Sequence, residues 1–562
     1  MSTNTELAKM FHTMATVLEI MGENAFKVNA NSKVARALED LVEDVATIED
    51  VTTIPGVGKS SAKKIAQYIE SGEMFEYQQL IASIPHGLLD VMNVQGLGPK
   101  TVRRLWQEAD VTDIPSLREA IENGRLASLP RMGKKTIENI TQSLDFLATN
   151  ANRTRLGVVL PIAENLIAQL KVLKGVTNMR YAGSLRRGKE TIGDIDILAS
   201  TDEPKLLTDT FCAMSDVEKI LAQGDTKCSV RLDVGLQVDM RVVDVVKFGA
   251  ALLYFTGSKE HNIVLRERAI KQDKKLNEYG LDPSNLSETE EVIYADLGMP
   301  WIPPEVREDH GEFACNETPM FITSKDILCD LHCHTTASDG HMSIEELATI
   351  AIARGFHTIA VTDHSQSQGQ ANGLKPDRLR THIDLIREKN ETISGVTILA
   401  GSEVDILPDG TLDYDDELLA MLDIVVASPH AALQQSPNEA TKRLLAAIEH
   451  PLVHIIGHPT GRIINKRKGL EPDIPTLVAA AVECDTALEL NANSYRLDLK
   501  DTHVRAACEG GAVIAINTDA HRPEDFDQLQ YGILTARRGW AEPKNCINCL
   551  EHDELQTWLL RK

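Results

Sequence analysis

The alternation of apolar and polar positions changes character along this 562-residue chain. Residues 194–198, DIDIL, alternate with a period of two. That predicts a strand with Asp194 and Asp196 on one face and Ile195 and Ile197 on the other. The apolar run VGLQVDMRVV predicts a second strand whose one acid is Asp239. In IPGVGKSSAKKIAQYI, residues 54–69, a Gly-x-Gly precedes Ala62 and Ile65 at helical spacing, so a tight turn opens a helix. The pattern recurs at 94–105, VQGLGPKTVRRL, and more weakly at 129–140, LPRMGKKTIENI, where Arg131 replaces the first glycine. Between 300 and 325 the periodicity is lost in a Pro- and acid-rich stretch that reads as a linker or crossing loop. Beyond it, short and mostly β-branched runs each end in a histidine or an acid, as in ILCDLHCH, TIAVTDH, TILAGSE, IVVASPH, VHIIGH and AVIAINTDAH. They predict six successive parallel strands of a barrel with chemistry at their C-terminal ends.

The acids change the picture first. If the two strands present Asp194, Asp196 and Asp239 on a common face, three carboxylates share one spot and require cations, and hard oxygen ligands select Mg²⁺ or Mn²⁺. Two such ions beside the Gly-Ser turn of GSLRRG are suited to in-line phosphoryl transfer. A solvated edge strand would also account for D-x-D, but not for GSLRRG or the later YFTGS. The second cluster is His332, His334, Asp339, His364, Glu403, His430, His458, Asp519 and His521. One histidine after a strand is ordinarily a satisfied core residue, whereas nine such groups at six strand ends are hard to explain that way and mark where such a barrel places its chemistry. Asp363 either supports His364 from one layer out or caps its strand, and His341, His382, His450, His454 and His503 are ordinary surface or core residues.

Composition sets the frame. At 43% hydrophobic and 25% charged residues, this is a soluble chain of several folding units. No apolar run reaches membrane-spanning length, the N-terminus lacks a signal pattern, and nine cysteines suggest a reducing compartment, so a cytoplasmic location is expected. Cys546 and Cys549 form a lone CxxC, read as structural or incidental. The net charge of −25, with residues 1–150 themselves acidic, excludes a protein that coats nucleic acid with a basic surface. DNA contact must come from local elements. The turns at Gly56, Gly58 and Lys59 and at Gly96, Gly98 and Lys100 offer backbone N–H groups, a helix N-terminus and a lysine each. Such contacts position DNA without reading sequence.

On the hairpins, GSLRRG, Asp194, Asp196, Asp239 and LLYFTGSKEHNIVLRERA, residues 1 to about 320 resemble the family X DNA polymerases. Residues 326–562 resemble the PHP phosphoesterases, all nine of whose ligands have counterparts here. The pairing is similar to the bacterial members of the polymerase family. The resemblance implies a multidomain chain: a helical lyase-like domain at 1–90, a fingers-like region at 91–150, an α+β nucleotidyltransferase palm at 151–250, a thumb-like domain and linker at 251–320, and a distorted β/α barrel at 326–562. It implies that Gly183, Ser184, Arg187 and Gly193 bind the triphosphate of a dNTP, and that Tyr254, Phe255, Gly257 and Asn262 contact its sugar and base. Lys259 stands where animal members carry an acid. Lys64 matches the family's lyase lysine, although phosphate binding is the better expectation for it, and Ser60 replaces another family lysine. Arg462 is expected to hold a phosphate.

The implied activity is gap-filling DNA synthesis in base excision repair, with 3′–5′ exonuclease or AP endonuclease action by the barrel. The implied cofactors are Mg²⁺ or Mn²⁺ at the aspartates and about three Zn²⁺, Mn²⁺ or Fe ions at the histidines. The partners are gapped or nicked DNA and dNTPs, with no membrane, for a monomer. A small-molecule phosphatase and a template-independent nucleotidyltransferase are the alternatives.

Overall fold

The computed structural model describes residues 3–560 except 40, 42, 95, 131, 151, 152, 285 and 286, so Arg131 lies outside the described residues. The chain divides into two compact units, Met1–Ala151 and, apart from Asn465–Lys468, Asn152–Lys562.

The first unit is helical and built on two cores. Leu7, Phe11, Val34, Ile54, Val57 and Ile65 fill one, and Val94, Leu97, Val102, Leu105, Leu129 and Met132 belong to the other. The three hairpins share one construction. Val57 N–H donates to the carbonyl of Ile54 at 3.0 Å, Leu97 to Val94 at 3.1 Å and Met132 to Leu129 at 3.2 Å. The residue between the glycines is the anchor: Val57 and Leu97 are buried while Gly56, Gly58, Gly96 and Gly98 are exposed. Gly56 and Gly96 have φ of 94° and 91°, where a side chain is strained. Helices Lys59–Ser71 and Pro99–Ala109 then begin on Gly58 and Gly98 with no side-chain cap.

In the second unit a five-stranded sheet runs in the order Val176–Tyr181, Asp194–Thr201, Gln237–Val242, Lys227–Leu232 and Val217–Gln223. Ile195, Ile197, Val238 and Met240 are buried in one core with Leu160, Leu166, Leu207 and Phe211 of two helices. Burying each such side chain contributes about 1.5–3 kcal/mol. A slip of one residue would turn these side chains to the opposite face, so the pattern locks the register. Helices Phe248–Thr256, Lys259–Ile270 and Glu290–Asp296 follow around a further core containing Leu265, Ile293 and Tyr294.

The stretch at 300–325 is not a free linker. Ile302, Val306, Arg307 and Glu312 are buried there. Its charges survive burial because they are paired: Arg307 donates to Glu290 at 2.7 Å, and Glu312 lies 2.7 Å from Nδ1 of His261.

The barrel holds seven parallel strands in chain order, Cys329–Cys333, Thr358–Val361, Thr397–Asp405, Ile424–Ser428, Ile455–Ile456, Ala487–Asn491 and Ile514–Asn517. A bridge between Cys333 and Ala520 brings the last edge back to the first. The ligand-bearing strands are therefore not six in succession. Ala487–Asn491 intervenes before the last of them and carries none of the nine residues.

Candidate active sites

The palm acids meet by register. Strands Asp194–Thr201 and Gln237–Val242 are parallel, with Asp196 opposite Asp239 and Asp194 opposite Gln237. The three aspartates therefore share the face opposite the isoleucines. Burial, then the charges of Asp194 and Asp239, pushes the Asp196 carboxyl up to about 6. A carboxylate so crowded by like charge fits a divalent cation. Asp239 is held on both oxygens, by the Ser229 hydroxyl and by Nε2 of Gln237 at 2.8 Å. A cavity of about 380 Å³ lies here, lined by Asp196, Ser229, Gln237, Asp239, Arg241 and Phe255 among others.

The residues expected to bind the nucleotide lie around this face to differing degrees. Gly183, at φ 60°, starts a one-turn helix that includes Ser184, and its α-carbon packs directly on Asp196. The Tyr254 and Phe255 rings meet edge to face at 5.1 Å, and Nδ2 of Asn262 donates to the Tyr254 carbonyl at 2.8 Å. Gly257 adjoins Arg187, with Nη1 of the arginine 3.2 Å from where a β-carbon would stand. Gly193 precedes the Asp194 strand near the Arg153 guanidinium. Arg187 itself is engaged by the Thr256 carbonyl at 2.5 Å and by Glu308 at 3.0 Å.

In the barrel the nine expected ligands converge. Three overlapping groups each have their ligand atoms within 4.8 Å of one another: His334, Asp339, His364 and His521; His332, His334 and Asp519; and His364, Glu403 and His430. His458 completes the set, with Nε2 at 2.8 Å from Glu403. Buried atoms without hydrogen-bond partners include His332 Nε2, both ring nitrogens of His334, His364 Nδ1, Glu403 Oε2 and His458 Nδ1. Orphaned imidazole and carboxylate atoms gathered in neighbouring groups fit a metal donor set. Burial alone would lower the pKa values of His430 and His521, yet Glu403 and Asp405 raise the first, and Asp339 and Asp519 the second, to about 9. Burial together with His521 and His364 lowers His334 to about 4. Two ligands, His458 at φ 23° and Asp519 at φ 55°, sit in strained backbone.

A supporting layer escaped the sequence reading. Glu489, on the strand without a ligand, accepts from His332 Nδ1 at 2.7 Å and from the His458 backbone N–H at 2.6 Å. Asn517 donates to Glu489 at 3.0 Å, and Asn548 donates to Asn517 at 3.0 Å. Asp405 faces His430 Nδ1 at 2.5 Å. The signal for Glu489 was an acid inside the apolar strand ALELN, and that for Asp405 its place two residues beyond Glu403. Asp363 binds Thr335, Ser338 and His382, and so fixes the loop carrying His334 and Asp339 rather than His364.

Two expectations meet different surroundings. Nη2 of Arg462 pairs with Glu190 at 2.6 Å and donates to the Leu497 carbonyl at 2.5 Å, while its buried Nε has no hydrogen-bond partner. In the first unit Lys64 is largely buried and ion-paired with Glu76 at 2.9 Å. Lys59 and Lys100, by contrast, are exposed beside their hairpins.

An acid triad on a palm-like sheet and an imidazole cluster in a barrel define a two-site phosphoryl-transfer enzyme. Residues 2–74 match the helix-hairpin-helix domain family, 88–145 the SAM-like helix-hairpin-helix tandem, 251–308 the DNA polymerase beta thumb and 330–492 the PHP domain. The chain is 38% identical over 564 residues to the DNA polymerase/3'-5' exonuclease PolX of Bacillus subtilis (strain 168), covering 99% of both chains. It belongs to that PolX family. Over rather more than a third of its length the chain is also similar to probable phosphatases. One from Thermoanaerobacter sp. (strain X514) is 33% identical over 36% of this chain and 83% of its own. Another, from Syntrophotalea carbinolica, is 34% identical over 39% of this chain and 90% of its own.

Proposed function

We propose that this protein fills short gaps in duplex DNA and removes 3′-terminal nucleotides from the same ends. The observation that carries the reading is the parallel register that faces Asp196 with Asp239 beside Gly183, in a chain whose barrel gathers eight candidate ligands into overlapping groups, with His458 joined to them through Glu403. The primer 3′-OH forms a bond to the α-phosphorus of a dNTP, and the bond to pyrophosphate breaks. Asp239, oriented by Ser229 and Gln237, takes the hydroxyl proton. Ser184 and Arg187 hold the leaving phosphates, and Tyr254 and Phe255 bound the sugar.

Divalent cations, Mg²⁺ or Mn²⁺ at the aspartates and about three Zn²⁺, Mn²⁺ or Fe ions at the imidazoles, supply Lewis-acid charge when bound. In the barrel, Glu489 and Asp405 orient His332 and His430, and the buried walls exclude bulk water. Gly56, Gly58, Lys59, Gly96, Gly98 and Lys100 grip the DNA backbone. Adding a β-carbon at Gly58 or Gly98 meets nothing within 4 Å, which leaves each helix start open to a phosphate. We read the domains as ending near residues 90, 150, 250 and 320, and place the work in the cytoplasm. Among the described residues no helix is long and apolar enough to cross a membrane.

A time course on a labelled gapped duplex, with and without dNTPs, tests this. Asp196→Ala abolishes incorporation but keeps gel-shift affinity and trimming, whereas His332→Ala abolishes trimming and keeps synthesis. Loss of both activities in either folded variant refutes the two-site reading. Hydrolysis of small phosphate esters with intact 3′ ends would favour the phosphatase alternative, and extension without a template strand would favour the template-independent one.

A further inference from the structure

Three cations converge on one carboxylate oxygen between the palm and the barrel. Oε1 of Glu308 lies 3.0 Å from Nε of Arg187, 3.2 Å from Nζ of Lys189 and 3.2 Å from Nη1 of Arg538. Arg187 and Lys189 belong to the loop that follows the Gly-Ser turn, while Arg538 ends the barrel helix Leu529–Arg538. Arg538 reaches the loop itself as well. Its Nη1 donates to the Arg187 carbonyl at 2.8 Å and to the Glu305 carbonyl at 3.0 Å, and its Nε is fixed by Asp501 at 2.8 Å. The packing is close: a β-carbon on Gly188, whose φ is 64°, would stand 3.3 Å from Leu534 and 3.8 Å from Arg538.

Glu308 and Arg187 are 12% and 13% exposed, so their attraction is only partly screened. Burial would raise the Glu308 pKa, but Arg187, Arg538 and Lys189 outweigh it and hold the carboxyl below its usual range. A carboxylate bound by the arginine and lysine of a phosphate-binding loop presents them with the charge and oxygen geometry that a phosphate would.

We propose that Glu308 is an internal counter-anion that competes with the nucleotide's phosphates for Arg187 and Lys189, and that Arg538 of the barrel is a positioning residue for nucleotidyl transfer. Arg538 acts by drawing Glu308 toward the barrel and by bracing the loop through the Arg187 carbonyl. The inference rests on the reading that Arg187 holds the dNTP phosphates. When a triphosphate enters, Arg187 and Lys189 exchange one anion for another, and Glu308 remains neutralised by Arg538. Without Arg538, Glu308 keeps its hold on the loop cations.

The two residues therefore have opposite effects. Steady-state incorporation on a gapped duplex is measured in the full-length protein, together with hydrolysis of a labelled 3′ end as a check on the barrel. Glu308→Gln lowers KM for dNTP and Arg538→Ala raises it, each by about tenfold, the size of one charge-assisted hydrogen bond. The Arg538→Ala/Glu308→Gln double variant returns toward the starting KM, and hydrolysis is unchanged throughout. If Arg538→Ala fails to fold, Arg538→Lys is read instead: it keeps the charge but loses the fork, and raises KM by a smaller factor. A loss of packing alone would move KM, or kcat, in the same direction in both single variants, and that result overturns the proposal. Arg187→Ala separates the two levels. A raised KM there, with unchanged KM in Glu308→Gln and Arg538→Ala, sinks only the counter-anion. An unchanged KM in Arg187→Ala removes the triphosphate reading itself.

Discussion

Gly183 and Asp196 are in contact: a β-carbon on the glycine would lie 2.3 Å from Oδ2 of the aspartate. The turn expected to hold the nucleotide is thus also the wall that fixes an acid expected to bind metal. Gly183 takes φ 60°, which costs an alanine a further 1–2 kcal/mol, as a rough figure. Gly183→Ala should therefore displace Asp196 and slow dNTP incorporation by about 100-fold, the typical consequence of misplacing a reacting group by an ångström. Hydrolysis of 3′ ends serves as the internal control and should be unaffected. Wild-type incorporation by this variant would show that the contact is slack.

The outer layer of the barrel can be tested through metal retention rather than turnover. Glu489→Ala strips His332 and the His458 backbone of their acceptor. Metal affinity, measured by competition with a chromophoric chelator, should fall 10- to 100-fold, as a rough range for outer partners of metal-bound histidines. Unaltered affinity would mean that Glu489 serves packing only.

Lys59 and Lys100 are exposed at the mouths of the first two hairpins. If each meets one DNA phosphate, Lys59→Ala and Lys100→Ala should each flatten the slope of log K against log salt by about 0.9. Gapped duplexes bearing a 5′-phosphate should bind more tightly than those with a 5′-hydroxyl. Equal affinities and an unchanged slope would dismiss the hairpins as a DNA grip.

Glu290 ties palm to thumb. It accepts from Arg186 at 2.6 Å and from Arg307 at 2.7 Å, and is almost fully buried. Burial opposes ionisation, but Arg307 and Arg186 overcome it and hold Glu290 far below the usual carboxylate range. A depressed folded pKa gives stability that is complete above the unfolded value of about 4.5 and drains away as pH falls below it. Thermal unfolding should show that slope below pH 4.5, and Glu290→Gln should flatten it while costing about 3–5 kcal/mol at neutral pH. Parallel pH slopes in the two proteins would show that other acids dominate.

The sequence was most legible where periodicity and chemistry coincide. DIDIL announced its two faces because Ile195 and Ile197 have one core to fill, and parallel pairing with Val238 and Met240 then fixes Asp239. Ligands at strand ends were readable because apolar runs precede them. What stayed hidden was pairing between distant residues: Arg462 and Glu190 are 272 positions apart, and nothing local in either betrays the other. The same holds for the 300–325 strap, whose charges look solvated until Glu290 is seen beside Arg307 and His261 beside Glu312. Glu489 stayed hidden because it lies inside its strand rather than at the end, and its partners His332 and His458 are far from it in sequence. The third hairpin keeps the Leu129–Met132 hydrogen bond despite losing its first glycine, which shows that the buried apolar anchor persists where the turn residue has changed.

Asn548 follows every expected metal ligand in chain order, yet it ties the barrel's first strand to its last. Its carboxamide bonds the carbonyl of Cys329 at 3.0 Å and the N–H of Ile516 at 2.8 Å, joining the first strand to the last. A relative shortened just past His521 would retain all nine candidate ligands and still lack these two bonds between the first strand and the last. Counting its histidines would then overstate how much of the barrel it keeps, because the segment that joins the two strands would be gone.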